Sequence, residues 1–219
     1  QPAIDYYENH GSATDKLRTL YYQGRIYQNG GDNEKAMNCF VNALESSASS
    51  YDHITIARCF YSQGTIYQHM YDWKKVIESN INASNYFKSS NNVNSQFRSL
   101  LRAINGYSQL YETNRASEII PQAKTLLSQV SFANKGFYYA TCISFYSDNE
   151  MIEELRSVLS EYIYNIPKER IDWISVAYAY TILNDYEMAN SAILNISGDQ
   201  SSQARYYALV SDIYRHNND

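Results

Sequence analysis

Glycine and proline are scarce in this chain, at eight and three of 219 residues. All-β folds need turn residues at short, regular intervals, so a chain with so few is expected to be helical. Concentrated positive charge is lacking too. The 18 lysines and arginines are outnumbered by 23 acids, and no run of them could neutralise a row of phosphates, which argues against a nucleic-acid partner. No stretch approaches the roughly 18–20 apolar residues of a membrane span. The opening Gln1-Pro2-Ala3-Ile4 is neither a start methionine nor a signal peptide, so the expectation is a piece of something longer, without membrane insertion of its own.

Chemistry-bearing motifs are equally sparse. The three cysteines, Cys39, Cys59 and Cys142, have no CxxC or Cys/His spacing suited to a metal, and they read as small buried apolar side chains. Cys39 and Cys59 would lie on consecutive antiparallel helices, where a disulfide is open but not predicted. The histidines His10, His53, His69 and His216 form no HxxxH pair, and no serine sits in a GxSxG elbow. Gly30-Gly31 is not followed by the GK[ST] of a phosphate loop and reads as a turn. No enzyme, cofactor or metal site is expected.

What the chain has in quantity is tyrosine, 23 residues of it, a side chain that buries a large ring and keeps a polar tip. Six of them, Tyr27, Tyr67, Tyr107, Tyr146, Tyr180 and Tyr214, are separated by 40, 40, 39, 34 and 34 residues. Nine residues after the first five come Ala36, Val76, Ala116, Leu155 and Ala189; seven further on come Ala43, Ala83, Ala123, Tyr162 and Ile196. A small residue on one helix lets the backbone of its partner approach, and a ring fills the gap between consecutive pairs. The register therefore predicts repeated helix pairs, with Tyr27, Tyr67 and Tyr107 largely buried between them. The expected pairs are 14–29 with 33–48, 52–69 with 72–90, 93–111 with 115–130, 134–147 with 149–164, and 168–183 with 185–196. A half unit at 1–10 and a terminal helix at 200–216 complete a single repeat domain. Pro121 falls inside a predicted helix, where it should kink the helix or mark a late start.

These positions resemble the tetratricopeptide repeat. Leu20, Gly24, Tyr27, Ala36, Phe40 and Ala43 fall on the signature positions of the first unit, and Phe60, Gly64, Tyr67 and Ala83 on those of the second. Trp173, Ala177, Tyr180 and Ala189 do so in the fifth, and Pro167 closes the fourth. The third unit has Ile104 where the signature has glycine, and the fourth has Leu155 and Tyr162 where alanine is usual. The resemblance implies an all-α, right-handed superhelix of about five helix pairs with a half unit at each end, whose first helices line a concave groove.

By that register Arg18, Arg58 and Arg98, spaced 40 and 40, share one wall with Tyr21 and Tyr61. Arg25, Gln68, His69, Arg102, Asn105 and Gln109 face the same groove. Arginine forks beside tyrosines can grip carboxylates and peptide backbone. Some family members clamp a terminal carboxylate with basic residues and asparagines. Arg98 and Arg102 match two basic positions of that clamp, whereas Tyr21, Arg25 and Ser62 stand where it has lysine and asparagines. Two readings follow: a protein- or peptide-binding module with an acidic partner, or a spacer whose arginines pair with acids of neighbouring helices and stitch units together. The terminal half units would offer a homodimer contact. Tetratricopeptide segments of bacterial envelope and regulatory proteins share this Tyr- and Asn-rich idiom, which implies a sensing or assembly role on the periplasmic side.

Overall fold

The computed structural model describes residues 6, 7, 10–196 and 204–217. Among them lie eleven helices and no strand: α1 Ala13–Asn29, α2 Asn33–Glu45, α3 His53–His69, α4 Trp73–Ser89, α5 Val93–Gln109, α6 Thr113–Thr125, α7 Phe132–Asp148, α8 Ile152–Asn165, α9 Trp173–Ile182, α10 Tyr186–Ile193 and α11 Ala204–Asn217. The expected half unit at 1–10 lies outside the described residues apart from Tyr6, Tyr7 and His10, which are helical. The chain divides into two compact units, 1–130 and 131–219.

Helix starts follow from side chains that accept otherwise unsatisfied backbone N–H groups. In the first unit Ser12, Asp32, Asp52, Asp72 and Asn92 each accept from the N–H three residues on. These caps recur every 20 residues, one per helix, a period inside the 40-residue step. Ser12 and Asp15 form a reciprocal capping box.

Helix ends follow from the tyrosine register. The carbonyls of Tyr27, Tyr67, Tyr107, Tyr146 and Tyr180 accept the N–H groups of Asp32, Asp72, Glu112, Met151 and Asp185 at 2.9–3.0 Å. The residue before each of those donors is left-handed: Gly31 at φ 83°, Tyr71 and Tyr111 at 57°, Glu150 at 55° and Asn184 at 56°. This is a Schellman turn repeated five times, with the register tyrosine three residues from each helix end.

In the unit of residues 1–130, α1 packs on α2, α3 on both α2 and α4, and α5 on both α4 and α6; α1 also touches α3. The small residues of the register form the seams. Ala36, Ala43, Ala83, Ala116 and Ala123 are fully buried and Val76 nearly so. A Cβ added at Gly24 would come within 2.6 Å of the Phe40 ring, so glycine is what lets α1 close on α2. One core position changes character along the unit: Phe40, Asn80 and Ile120, at 40-residue steps, are 0%, 0% and 5% exposed. Asn80 satisfies its amide N–H on the Val76 carbonyl at 2.8 Å.

Tyr27, Tyr67 and Tyr107 are half-buried rather than largely buried. At the third position from a helix end, the ring lies at the edge of the seam, where Lys35 and Lys75 of the following helices cover Tyr27 and Tyr67 at 5.6 and 5.1 Å. Tyr214, also in register, is 65% exposed. Pro121 neither delays nor visibly shortens α6: the helix starts at Thr113 and spans 13 residues, as does α2, which has no proline. Both continue into a 3-10 turn, at Ser46–Ser49 and Leu127–Gln129. Pro121 lies on the exposed side.

In the unit of residues 131–219, α7 pairs with α8 and α9 with α10, and α11 packs on α10 and α9. Its core is aromatic. Tyr162, in the register position held by Ala43, Ala83 and Ala123, is 1% exposed and stacks on Tyr139 with ring centroids 5.0 Å apart. Its hydroxyl accepts the Asp172 N–H at 2.8 Å, and Asp172 in turn caps α9. All three cysteines are buried and outside any disulfide, and burial pushes the Cys59 thiol up to about 12, so its thiolate form is suppressed.

Candidate binding groove

The first helices of the unit of residues 1–130, α1, α3 and α5, carry the arginines singled out from the sequence. Arg18, Arg58 and Arg98 are all exposed, as identical positions of a 40-residue repeat require. Their electrostatic surroundings nevertheless differ. Arg18 donates through Nε to Asp52, the α3 cap, at 2.5 Å. The acid also accepts from the Thr55 hydroxyl and N–H. Burial works to raise the Asp52 pKa, and hydrogen bonds from Arg18 and Thr55 overcome it, leaving the carboxyl below its ordinary value. The residue 34 after Arg58, matching Asp52 for Arg18, is Asn92, which caps α5 equally well and carries no charge.

Three further cations at helix starts of this unit are neutralised locally. Lys35, Lys75 and Arg115 pair with Asp32, Asp72 and Glu112 three residues earlier, at 2.7, 3.3 and 3.5 Å. Arg25, Arg58, Arg98 and Arg102 form no ion pair among the described residues. Arg102 is the most enclosed of the four. Its guanidinium lies 4.3 Å from the centroid of the Tyr61 ring, and Nη1 donates to Thr65 Oγ1 at 2.8 Å. The Thr65 hydroxyl donates onward to the Tyr61 carbonyl at 3.1 Å. Burial holds the Arg102 pKa below the ordinary value; Tyr61 opposes this and the neighbouring Arg98 adds to it.

This helix-pair architecture matches known structures. No protein-family model matches the chain, and no curated protein does. Among solved structures, the crystal structure of the Podosopora anserina putative kinesin light chain nearly identical TPR-like repeats superposes with a TM-score of 0.62 at 15% identity, covering 91% of this chain and 97% of that one. A glutamine-to-methionine variant of the same protein matches at 0.62 and 14%, with the same coverage. The fold is that of a tetratricopeptide-like repeat protein.

The tetratricopeptide-like register places the other candidate residues as follows. Tyr61 is half-buried beneath Arg102, and Arg25 is half-buried near the Tyr21 phenol. Asn105 and His69 are exposed on α5 and at the end of α3. Tyr21 is not a groove-lining residue. It is 8% exposed and belongs to the core around Leu17, Phe40 and Cys59, 6.1 Å from the Phe40 ring. Burial raises the pKa of its phenol, with Arg25 and Arg58 acting in the opposite sense. The sequence reading missed Thr65, because a threonine in mid-helix carries no motif; only the approach of α5 to α3 gives it a partner. It also treated the three register arginines as equals, although Asp52 against Asn92 was visible as a difference in charge at matched positions.

Two further recesses are open to solvent. One, of about 430 Å³, lies beside α4 and α6 and carries both signs of charge, Lys74 and Arg115 against Glu78 and Glu112. The other, of about 390 Å³, is lined by Ile174, Tyr178, Ile182 and Leu209. Among the described residues no three His, Cys, Asp or Glu side chains cluster as a metal site would require, and no helix is long and apolar enough to cross a membrane.

Proposed function

We propose that residues 1–130 form a module that holds an acidic segment of a protein partner against the face of α1, α3 and α5, without catalysis. Repeat folds of this kind generally mediate protein–protein contact. The single observation that carries the reading is charge bookkeeping at the residue level: Arg18, Lys35, Lys75 and Arg115 are paired, whereas Arg25, Arg58, Arg98 and Arg102, on the first helices, are not. Unpaired, partly enclosed guanidinium groups beside tyrosines suit carboxylates and steer acidic partners to the surface.

Arg18 supports the spacer reading at its own position, since its bond to Asp52 joins the first pair to the second. The partner's footprint is therefore weighted towards the second and third pairs, with Arg25 as the contribution of the first, rather than even along the ladder. The test is fluorescence anisotropy with a labelled octaglutamate peptide on the whole chain. Binding should weaken steeply between low and physiological salt, where screening acts over about 8–10 Å. Reversing Arg58, Arg98 and Arg102 to glutamate should abolish it, whereas Arg18→Gln should not. Indifference to salt and to the triple reversal would leave the spacer as the reading.

A further inference from the structure

Arg98 and Arg102 are one turn apart on α5, so their side chains share a face. Both are cations, and neither forms an ion pair among the described residues. Like charges at this spacing destabilise an isolated helix. The fold nevertheless brings Arg102 into a half-buried place and fixes its plane by the Tyr61 ring on one side and the Thr65 hydroxyl at one N–H. The other guanidinium N–H groups have no acceptor among the described residues, and Arg98 has none at all. A planar fork held in position with free donors, next to a second free fork, is a partly assembled oxyanion seat.

The charge of the occupant follows from the pair. One carboxylate would leave a net positive charge in the half-buried site. A phosphomonoester carries about −1.5 to −2 near neutral pH and offers three acceptor oxygens to two forks. We propose that Arg98 and Arg102 seat a phosphomonoester on the bound segment of a protein partner, with Tyr61 and Thr65 as positioning residues for the Arg102 guanidinium. This rests on the acidic-segment reading above and specifies the group that anchors it.

The test uses the whole chain and three labelled decapeptides identical except at the two central residues, which are phosphoserine-glycine, Asp-Asp or unmodified serine-glycine. The phosphoserine peptide should bind about tenfold more tightly than the Asp-Asp peptide, which has a similar charge without the tetrahedral cluster of oxygens. Arg102→Lys, which keeps the charge and loses the fork, should erase that preference while leaving helical circular dichroism intact. Tyr61→Phe should preserve the preference and Tyr61→Leu reduce it.

Affinity for phosphoserine should fall as pH drops through about 6, where the second proton returns to the phosphate, and affinity for Asp-Asp should stay level there. The groups acting on Arg102 are the Tyr61 phenol from α3 and Arg98 from its own helix. His53 and His69, also on α3, would act on both peptides alike. Equal affinity for phosphoserine and Asp-Asp, or an Arg102→Lys variant with its preference intact, overturns the phosphate seat and leaves the acidic groove standing. Failure of both anionic peptides to bind better than the serine peptide overturns both readings.

Discussion

The two units solve the same packing problem with opposite side chains. At the register position on the second helix, the unit of residues 1–130 has Ala43, Ala83 and Ala123, each fully buried, and the unit of residues 131–219 has Tyr162, also buried. Alanine brings two helix backbones together. Tyrosine must instead be given a stacking partner and a hydrogen bond, and here Tyr139 and the Asp172 N–H supply them. The step of the register shortens from 40 to 34 residues over the same stretch. A degenerate repeat is thus a different core chemistry, in which buried phenols take over the role of small residues. The arginine face belongs only to the alanine-seamed unit.

The largest expected effect tests that substitution of chemistry. Tyr162→Ala removes a buried ring, its stack and the acceptor for a cap residue's N–H, and should cost about 3–5 kcal/mol, read as a loss of denaturant midpoint. Placing the first unit's preferred alanine there would be harmless only if the two units shared one packing rule. A stability near wild type would break the comparison.

Alkaline titration sharpens it. Burial raises the pKa of Tyr138, Tyr139, Tyr146, Tyr162 and Tyr180 in the second unit, Tyr146 to about 12, and of Tyr21 in the first. A phenol with a folded pKa above its unfolded value of about 10 stabilises the fold fully below pH 10, and that stability drains away as pH climbs from there through the folded value. Residues 131–219 should therefore lose amide-exchange protection before residues 1–130 as pH passes 10 towards 12. Simultaneous loss would show that the phenols are not what distinguishes the units.

A smaller effect is expected at the register tyrosines of the first unit. Because Tyr67 is half-buried, Tyr67→Ala should cost about 1–2 kcal/mol by thermal melting, below the range for a fully enclosed ring. The smallest belongs to the stitching ion pair. Asp52→Asn keeps the α3 cap and removes the charge opposite Arg18, which is largely exposed, so no resolvable shift in melting temperature is expected at physiological salt. Asp52→Ala should be measurably worse, because the cap goes too.

Much of the fold was legible because repetition multiplies weak signals. A single tyrosine says little, but six in register point to helix pairs, and the alanines nine and sixteen residues later name the seams. The tyrosines' job was misjudged, since spacing reveals recurrence and not depth. The first five recur because each ends a helix in the same Schellman turn, at the edge of the seam. The 20-residue period of caps was also in plain view, hidden by its alternation among serine, aspartate and asparagine. Tyr71 and Tyr111 gave no warning of their left-handed backbone; glycine or asparagine usually holds such a place, and here the turn's hydrogen bonds impose it on exposed aromatic residues.

By itself the sequence determined that the chain would fold as repeated helix pairs, where the close seams of the first unit would fall, and that Arg18, Arg58 and Arg98 would hold matching exposed positions on their helices, because periodicity is a local property that each unit restates. It could not determine which of those arginines is free. That was decided when α3 brought Asp52 beneath Arg18 and when α5 laid Arg102 across Tyr61 and Thr65, residues 34, 41 and 37 positions away along the chain. Charge compensation depends on distance in space, and distance between helices is set only when the seams close.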